Sequence, residues 1–166
     1  MNTTTITALL ALDDSTSRLF RGCLAADEFR RVFVHGGVAA RGGKRPGDRG
    51  PGVDGDFGDR TLREVPDDEL YVVNTDPSTL SGTHWTVVYR RDGRVYFFDP
   101  YGVPARAYPS IYPTIAADAP ISNSTPLQTD NTDVCGDYCV LYALTVAEDI
   151  HPEAFAAFWE RVDPLD

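Results

Sequence analysis

The sequence predicts a domain of the α+β class. Three observations carry this reading: apolar residues at helical spacing between residues 6 and 33, strand-like runs with a hairpin signal between residues 70 and 99, and two helical segments closing the chain. With 166 residues the chain is long enough to bury a real core and too short for two ordinary ones, so a single domain over 1–166 is expected.

In the first part, Ile6, Leu9 and Leu10, then Leu19, Phe20, Cys23, Leu24, Phe29 and Phe33, predict short helices over 6–12 and 15–33. A turn at Leu12-Asp13-Asp14-Ser15 divides them, and they are expected to cover one face of a sheet. Nine of the 23 residues from Gly36 to Gly58 are glycine, joined by Pro46 and Pro51. Burial offsets the chain entropy of such a tract poorly, which predicts a mobile surface loop at about 36–60. Arg30, Arg31, Arg41, Lys44, Arg45 and Arg49 gather near it against Asp48. A solvated loop is the first reading of that cluster, and contact with nucleic acid or an acidic partner is the second.

The pattern then changes to strands. Leu70-Tyr71-Val72-Val73 is a short apolar run followed by a turn at Asn74-Thr75-Asp76-Pro77. His84 to Arg91 and Arg94 to Asp99 flank Asp92-Gly93, a dipeptide suited to a two-residue hairpin turn because both central positions take positive φ. The antiparallel pairing this implies brings His84 and Asp99 to one end of the ribbon. Six prolines between residues 100 and 126 limit that stretch to one helical turn near Ile111 to Ala117 and a short strand at Pro120 to Asn123. Two helices close the chain. Val134 to Ala147 carries Val134, Tyr138, Leu141 and Thr145 along one face, and Pro152 to Val162 carries a stripe of Phe155, Phe158, Trp159 and Val162 before Pro164.

Charge and cysteine usage narrow the function classes. Residues 92–166 hold 12 acids and 3 bases, a balance that repels nucleic acid and anionic membrane. No run reaches transmembrane length and the N-terminus lacks the features of a secretory signal. Three cysteines, Cys23, Cys135 and Cys139, give an odd count and no disulfide framework, which favours an intracellular, reduced setting.

The chemistry gathers in His84, Asp99, Gln128 and Cys135. Cys135 follows the capping-type residues Asp130, Asn131, Thr132 and Asp133, which places it at a helix N-terminus, where unpaired N–H groups and the helix dipole favour a thiolate. A cysteine nucleophile needs a base, an acceptor that fixes the base's tautomer, and donors for the oxyanion. His84, Asp99 and Gln128 supply one of each, the Cys135 N–H adding a second oxyanion donor. Singly, each has a plainer reading: a structural histidine, a turn aspartate, a core cysteine. Cys139, four residues beyond Cys135, raises a metal site, but His84 is the only well-placed further ligand, so Cys139 is assigned to core packing. Trp85 and Trp159 read as core anchors; His35 and His151 read as incidental.

Taken together, GTHW (Gly82 to Trp85), FFDPYG (Phe97 to Gly102) and Q-x6-CGxYC (Gln128 to Cys139) resemble the adenovirus maturation protease (adenain) family of DNA viruses and virus-like mobile elements, and more loosely the SUMO and ubiquitin-like proteases. The resemblance covers residues 70–145, with weaker likeness at Phe20 to Phe29 and in the closing helix. It implies a papain-like site in reversed chain order, on a central, mostly antiparallel sheet with helices on both sides and the nucleophile at a helix N-terminus. By the resemblance His84 is the base, Asp99 its orienter, Gln128 the oxyanion donor and Cys135 the nucleophile. The implied activity is a cysteine endopeptidase cutting viral or element-encoded precursors at glycine-containing sites in the host cell, nucleus or virion; the alternatives are a ubiquitin-like isopeptidase and an inactive binding module. No metal or small cofactor is called for, and a monomer is expected. An activating peptide belongs to the family pattern, and Cys23 is the cysteine left over for it; the acidic balance argues against DNA as activator. Gly-Gly pairs at 36–37 and 42–43 suggest self-cleavage, and Asp130, Asp133 and Asp137 around the nucleophile suggest a preference for basic substrate residues.

Overall fold

The structure, a computed structural model, describes residues 1–33, 68–159 and 161. The glycine-rich segment with its Gly-Gly pairs and its basic residues Arg41, Lys44, Arg45 and Arg49, together with His35 and the chain end at Val162 and Pro164, lies outside the described residues, whereas Arg30 and Arg31 of the basic cluster are described.

The chain opens with α1, Thr3–Leu12, capped by the Asn2 side chain accepting the Thr5 N–H at 2.9 Å. At the expected turn Asp13 ends this helix and caps the next, α2 (Asp14–Leu19), by accepting the Thr16 N–H at 2.7 Å. The helix expected to run on to residue 33 is interrupted. Phe20–Ala25 is a strand, β1, and only then does α3 follow, at Ala26–Val32. Tertiary pairing overrides the local pattern: β1 lies parallel to β2 (Glu69–Asn74), with Cys23 opposite Val72.

Beyond β2 the hairpin forms as expected, β3 at Trp85–Arg91 and β4 at Arg94–Phe98. Its turn residues Asp92 and Gly93 have φ of 49° and 72°, the left-handed pair that a tight turn between twisted strands requires. The proline-rich stretch gives a 3-10 turn at Ala105–Ala107, the single helical turn α4 at Tyr112–Ile115, a second 3-10 turn at Ala116–Asp118 and the two-residue β5 at Ile121–Ser122. The closing helices are α5, Cys135–Ala147, and α6, Pro152–Trp159.

The five strands lie in sequence order, β1-β2-β3-β4-β5. The sheet is mixed rather than mostly antiparallel: β2–β3 and β3–β4 are antiparallel, whereas both outer pairings, β1–β2 and β4–β5, are parallel. Strand residues alternate between two cores. On one face Leu70, Val72, Val87, Tyr89, Tyr96 and Phe98 pack with Ile6 and Leu10 of α1, with Cys139, Tyr142, Ala143 and Val146 of α5 and with Phe155 of α6. The opposite face joins Tyr71, Val73, Val88, Val95 and Phe97 to Ala26 and Phe29 of α3, Phe33, and Ile111 and Ile115 around α4. The first helices are therefore split between the two faces instead of covering one.

The buried stripe of α5 also differs from the expected face. Val134 and Leu141 are exposed and Tyr138 and Thr145 only half-buried, while Cys135, Cys139, Tyr142, Ala143 and Val146 turn inward. In α6 Phe155 is buried while Phe158, the next aromatic residue of the expected stripe, is 57% exposed. Trp85 is buried as expected, its indole N–H donating to the Met1 carbonyl at 3.2 Å. His151 is not incidental: its Nδ1 accepts the Glu153 N–H at 3.3 Å at the start of α6, and Nε2 lies 3.3 Å from the Tyr96 hydroxyl. No helix among the described residues is long and apolar enough to cross a membrane.

Candidate active site

The hairpin delivers the first two site residues. His84 immediately precedes β3 and Asp99 immediately follows β4, and His84 Nε2 lies 2.8 Å from Asp99 Oδ1. Both are withdrawn from solvent, Asp99 completely. The carboxylate is held from several directions. Oδ1 also accepts the Tyr101 N–H at 2.9 Å, and Oδ2 accepts the Tyr108 hydroxyl. Its backbone is clamped as well: the Asp99 N–H donates to Asn123 Oδ1 at 2.8 Å while Asn123 Nδ2 donates back to the Asp99 carbonyl at 2.7 Å.

The same turn positions Gln128. Gly102 N–H donates to the Asp99 carbonyl at 2.8 Å, closing the Asp-Pro-Tyr-Gly turn, and Gly102 sits at φ +68° with no room for a Cβ, which would meet Ser124 and Pro126 at 2.9 Å. The Leu127 and Gln128 N–H groups then donate to the Pro100 carbonyl at 2.8 and 3.0 Å. Gln128 is thereby buried next to Tyr101, whose ring packs 4.8 Å from the His84 ring. The Gln128 Nε2 donates to the Tyr101 hydroxyl at 3.2 Å and to the Thr132 carbonyl, while Oε1 is buried without a partner. The amide is thus one tyrosine away from the histidine, with its hydrogens engaged inside the protein.

Cys135 is the first residue of α5. The expected capping residues do not cap: the N-cap is Val134, which has no side-chain hydrogen bond to offer. No side chain therefore caps the first N–H groups of the helix; that of Gly136 acts on the Cys135 sulfur, as does the Trp85 N–H of the facing strand. Burial pushes the Cys135 thiol up, but the His84 imidazole and these N–H groups outweigh it and the net shift is downward. His84 shows the complementary balance. Burial lowers its pKa, yet the hydrogen bond to Asp99 and the contact with Cys135 raise it to about 9. Nδ1 is buried with no hydrogen-bond partner, and apart from Asp99 the Cys135 thiol is the group acting on the ring. A thiolate facing an imidazolium is the charge state this environment favours.

The other two cysteines are different. Cys139 is fully buried one turn below Cys135 and burial drives its thiol well upward; Cys23 in β1 is pushed up to about 12 by burial. Neither is poised as a nucleophile. Cys135, His84 and Asp99 are thus brought into one chain of contacts, and Gln128 is joined to it through Tyr101. The residues that the sequence did not disclose are Tyr108 and Asn123, both supporting Asp99, for which the prolines around them gave only a sign of irregular backbone. Compared with known proteins, the chain matches no protein-family model, and no curated protein matches it.

Proposed function

We propose that the protein is a cysteine peptidase in which Cys135 is the nucleophile, His84 the acid–base group and Asp99 its orienter. The observation that carries the reading is the lowered Cys135 pKa opposite a His84 raised to about 9 and bonded through Nε2 to Asp99 at 2.8 Å. A cysteine kept only for packing resembles Cys139, whose thiol burial makes harder to ionise.

In the proposed reaction the Cys135 sulfur attacks a peptide carbonyl carbon, a C–S bond forms, and the carbonyl π electrons move onto oxygen. The Cys135 N–H at the uncapped start of α5 faces that charge, and Gln128 is the second donor. For Gln128 to act, one of its two present acceptors has to yield; the contact with the Tyr101 hydroxyl, at 3.2 Å, is the longer of the two. His84 then gives its Nδ1 proton to the leaving amine as the C–N bond breaks, and water, deprotonated by the same nitrogen, releases the acid and the thiolate. Asp99 keeps the ring oriented throughout.

Glycine-containing precursor proteins of a virus or mobile element are the substrates we infer, on the resemblance of the three motifs. The test is hydrolysis of a Gly-Gly peptide set, with and without DNA and with Cys135→Ala beside the wild type. Turnover by the wild type and none by Cys135→Ala is expected; equal hydrolysis by both overturns the assignment. Labelling of Cys135 by a ubiquitin-like vinyl sulfone, without peptide cleavage, would move the reading to an isopeptidase.

A further inference from the structure

A groove of about 270 Å³ opens beside Trp85 and follows the connection between β2 and β3. It begins one residue from the acid–base group and next to the nucleophile: the Trp85 N–H acts on the Cys135 sulfur, and the indole borders Gly136 at the start of α5. Its lining includes Glu28, Asn74, Asp76, Gly82 and Trp85.

Asn74 is the telling residue. It is only 4% exposed, and its Oδ1 is used, accepting the Asp76 N–H at 2.9 Å. Its Nδ2 forms no hydrogen bond among the described residues and lies at the groove wall. Gly82 keeps that amide uncovered. A Cβ there would stand 2.5 Å from Asn74 Nδ2, so any other residue at this φ of +78° would displace the amide. The amide hydrogens are thereby presented to the groove, where an acceptor can reach them. The groove's charge has one sign: Glu28 and Asp76 line it, no Lys or Arg does among the described residues, and neither acid forms an ion pair there. Glu28 Oε2 accepts the Ala25 N–H and Asp76 Oδ2 the Thr83 hydroxyl, which leaves each carboxylate an oxygen to spare.

We propose that this groove is a peptide-binding subsite in which Asn74 Nδ2 donates to a main-chain carbonyl of the bound chain and Glu28 and Asp76 receive a lysine or arginine side chain. The ligand class follows from the wall: a fixed amide donor suits a backbone carbonyl, Gly82 permits close approach of a chain, and the two carboxylates complement a cation. The proposal rests on the peptidase reading for what lies at its end, but its binding chemistry is separable.

The decisive variant is Asn74→Asp, which keeps the oxygen that accepts from Asp76 and removes the donors; Asn74→Ala is its companion. On an uncharged Gly-Gly peptide both variants should raise KM by ~10-fold, the worth of a hydrogen bond to a buried group, with kcat within ~2-fold of wild type. Alkylation of Cys135 by iodoacetamide should keep its wild-type rate. Among wild-type substrates, a peptide series with a single arginine moved along the chain should contain a position where arginine lowers KM and glutamate raises it. An unchanged KM in both variants overturns the proposal, and so does a fall in Cys135 alkylation matching the loss of turnover, because Asn74 would then be shaping the catalytic pair instead of the groove. If the wild type cleaves no peptide, the peptidase reading fails alone; binding of a fluorescent Arg-Gly-Gly peptide to Cys135→Ala and to Cys135→Ala/Asn74→Asp still decides the groove. Weaker binding by the double variant supports it, and equal or absent binding overturns it.

Discussion

At the scale of single residues the site is a balance of opposed electrostatic effects. Burial alone would leave Cys135 protonated and His84 neutral; His84 and the Trp85 and Gly136 N–H groups reverse the first, and Asp99 and Cys135 reverse the second. Iodoacetamide reactivity should therefore follow pH in two steps. The first falls below the ordinary thiol value of 9, as the thiolate forms opposite a charged His84, and the second falls near pH 9, as His84 loses its proton and leaves the thiolate unpaired. In His84→Ala burial is no longer opposed by the imidazolium, so a single step above the wild-type first step is expected. Tyr108 adds a finer control. Burial and Asp99 push its phenol well above the ordinary value, which keeps it a donor to Asp99 Oδ2. Tyr108→Phe leaves that oxygen buried without its donor and the carboxylate freer to turn from Nε2, so His84 holds its proton less firmly. The upper step should move down in pH while the fold, read by thermal melting, loses only ~1–3 kcal/mol for the orphaned acceptor. An unmoved upper step would reduce Tyr108 to packing. His84, Asp99, Gln128 and Cys135 could be named from residue type and order, because each needs only a chemical role and a place on a local element. Tyr108 and Asn123 could not: their roles depend on a carboxylate that reaches them only after the proline-rich segment has folded back across the sheet edge.

At the scale of elements, what could be read from sequence was what is locally encoded. The hairpin, the short β5, the α4 turn and the start of α6 each carry their own turn, cap or period. β1 carries none: Phe20-Arg21-Gly22-Cys23-Leu24-Ala25 has apolar residues that fit a helix as well as a half-buried strand, and its partner is β2, far along the chain. Parallel pairing of the outer strands was illegible for the same reason, since direction is set by long connections. Two glycines show how differently elements serve the site. Gly93 and Gly102 both have positive φ, +72° and +68°, but a Cβ on Gly93 meets nothing within 4 Å, whereas one on Gly102 strikes backbone at 2.9 Å. Gly93→Ala should cost only the left-handed conformation, ~1 kcal/mol, and leave peptide turnover intact. Gly102→Ala adds overpacking, for a total of ~2–5 kcal/mol, and pushes the segment carrying Gln128 away from the Asp99 turn. Urea denaturation and turnover measured on both variants check this; equal losses in the pair would mean that the Asp-Pro-Tyr-Gly turn does not register the 123–128 segment.

At the scale of the whole molecule the site is a joint between two cores. Cys135 belongs to the helix packed on one face of the sheet, Tyr108 stands beside the core on the other, and the hairpin that ends in His84 and Asp99 runs between them. The first core is tied to α5 and α6 by an aromatic cluster. Phe98 stacks on Tyr142 at 4.4 Å, and Phe155 meets both rings edge-on at 5.5 and 5.1 Å, joining β4, α5 and α6. If the two cores fold as one unit, the Cys135–His84 pair has no stability of its own to keep once that cluster is weakened. Phe155→Ala should then cost ~3–5 kcal/mol, and the rapid alkylation of Cys135 should disappear at the same lowered urea midpoint as the far-ultraviolet circular dichroism signal. Phe158→Ala, three residues on and 57% exposed, should shift neither by more than ~0.5 kcal/mol. A Phe155→Ala protein whose Cys135 loses its rapid alkylation at lower urea than its circular dichroism would show instead that α5 and α6 open as a separate unit, with Cys135 released from His84 before the sheet unfolds.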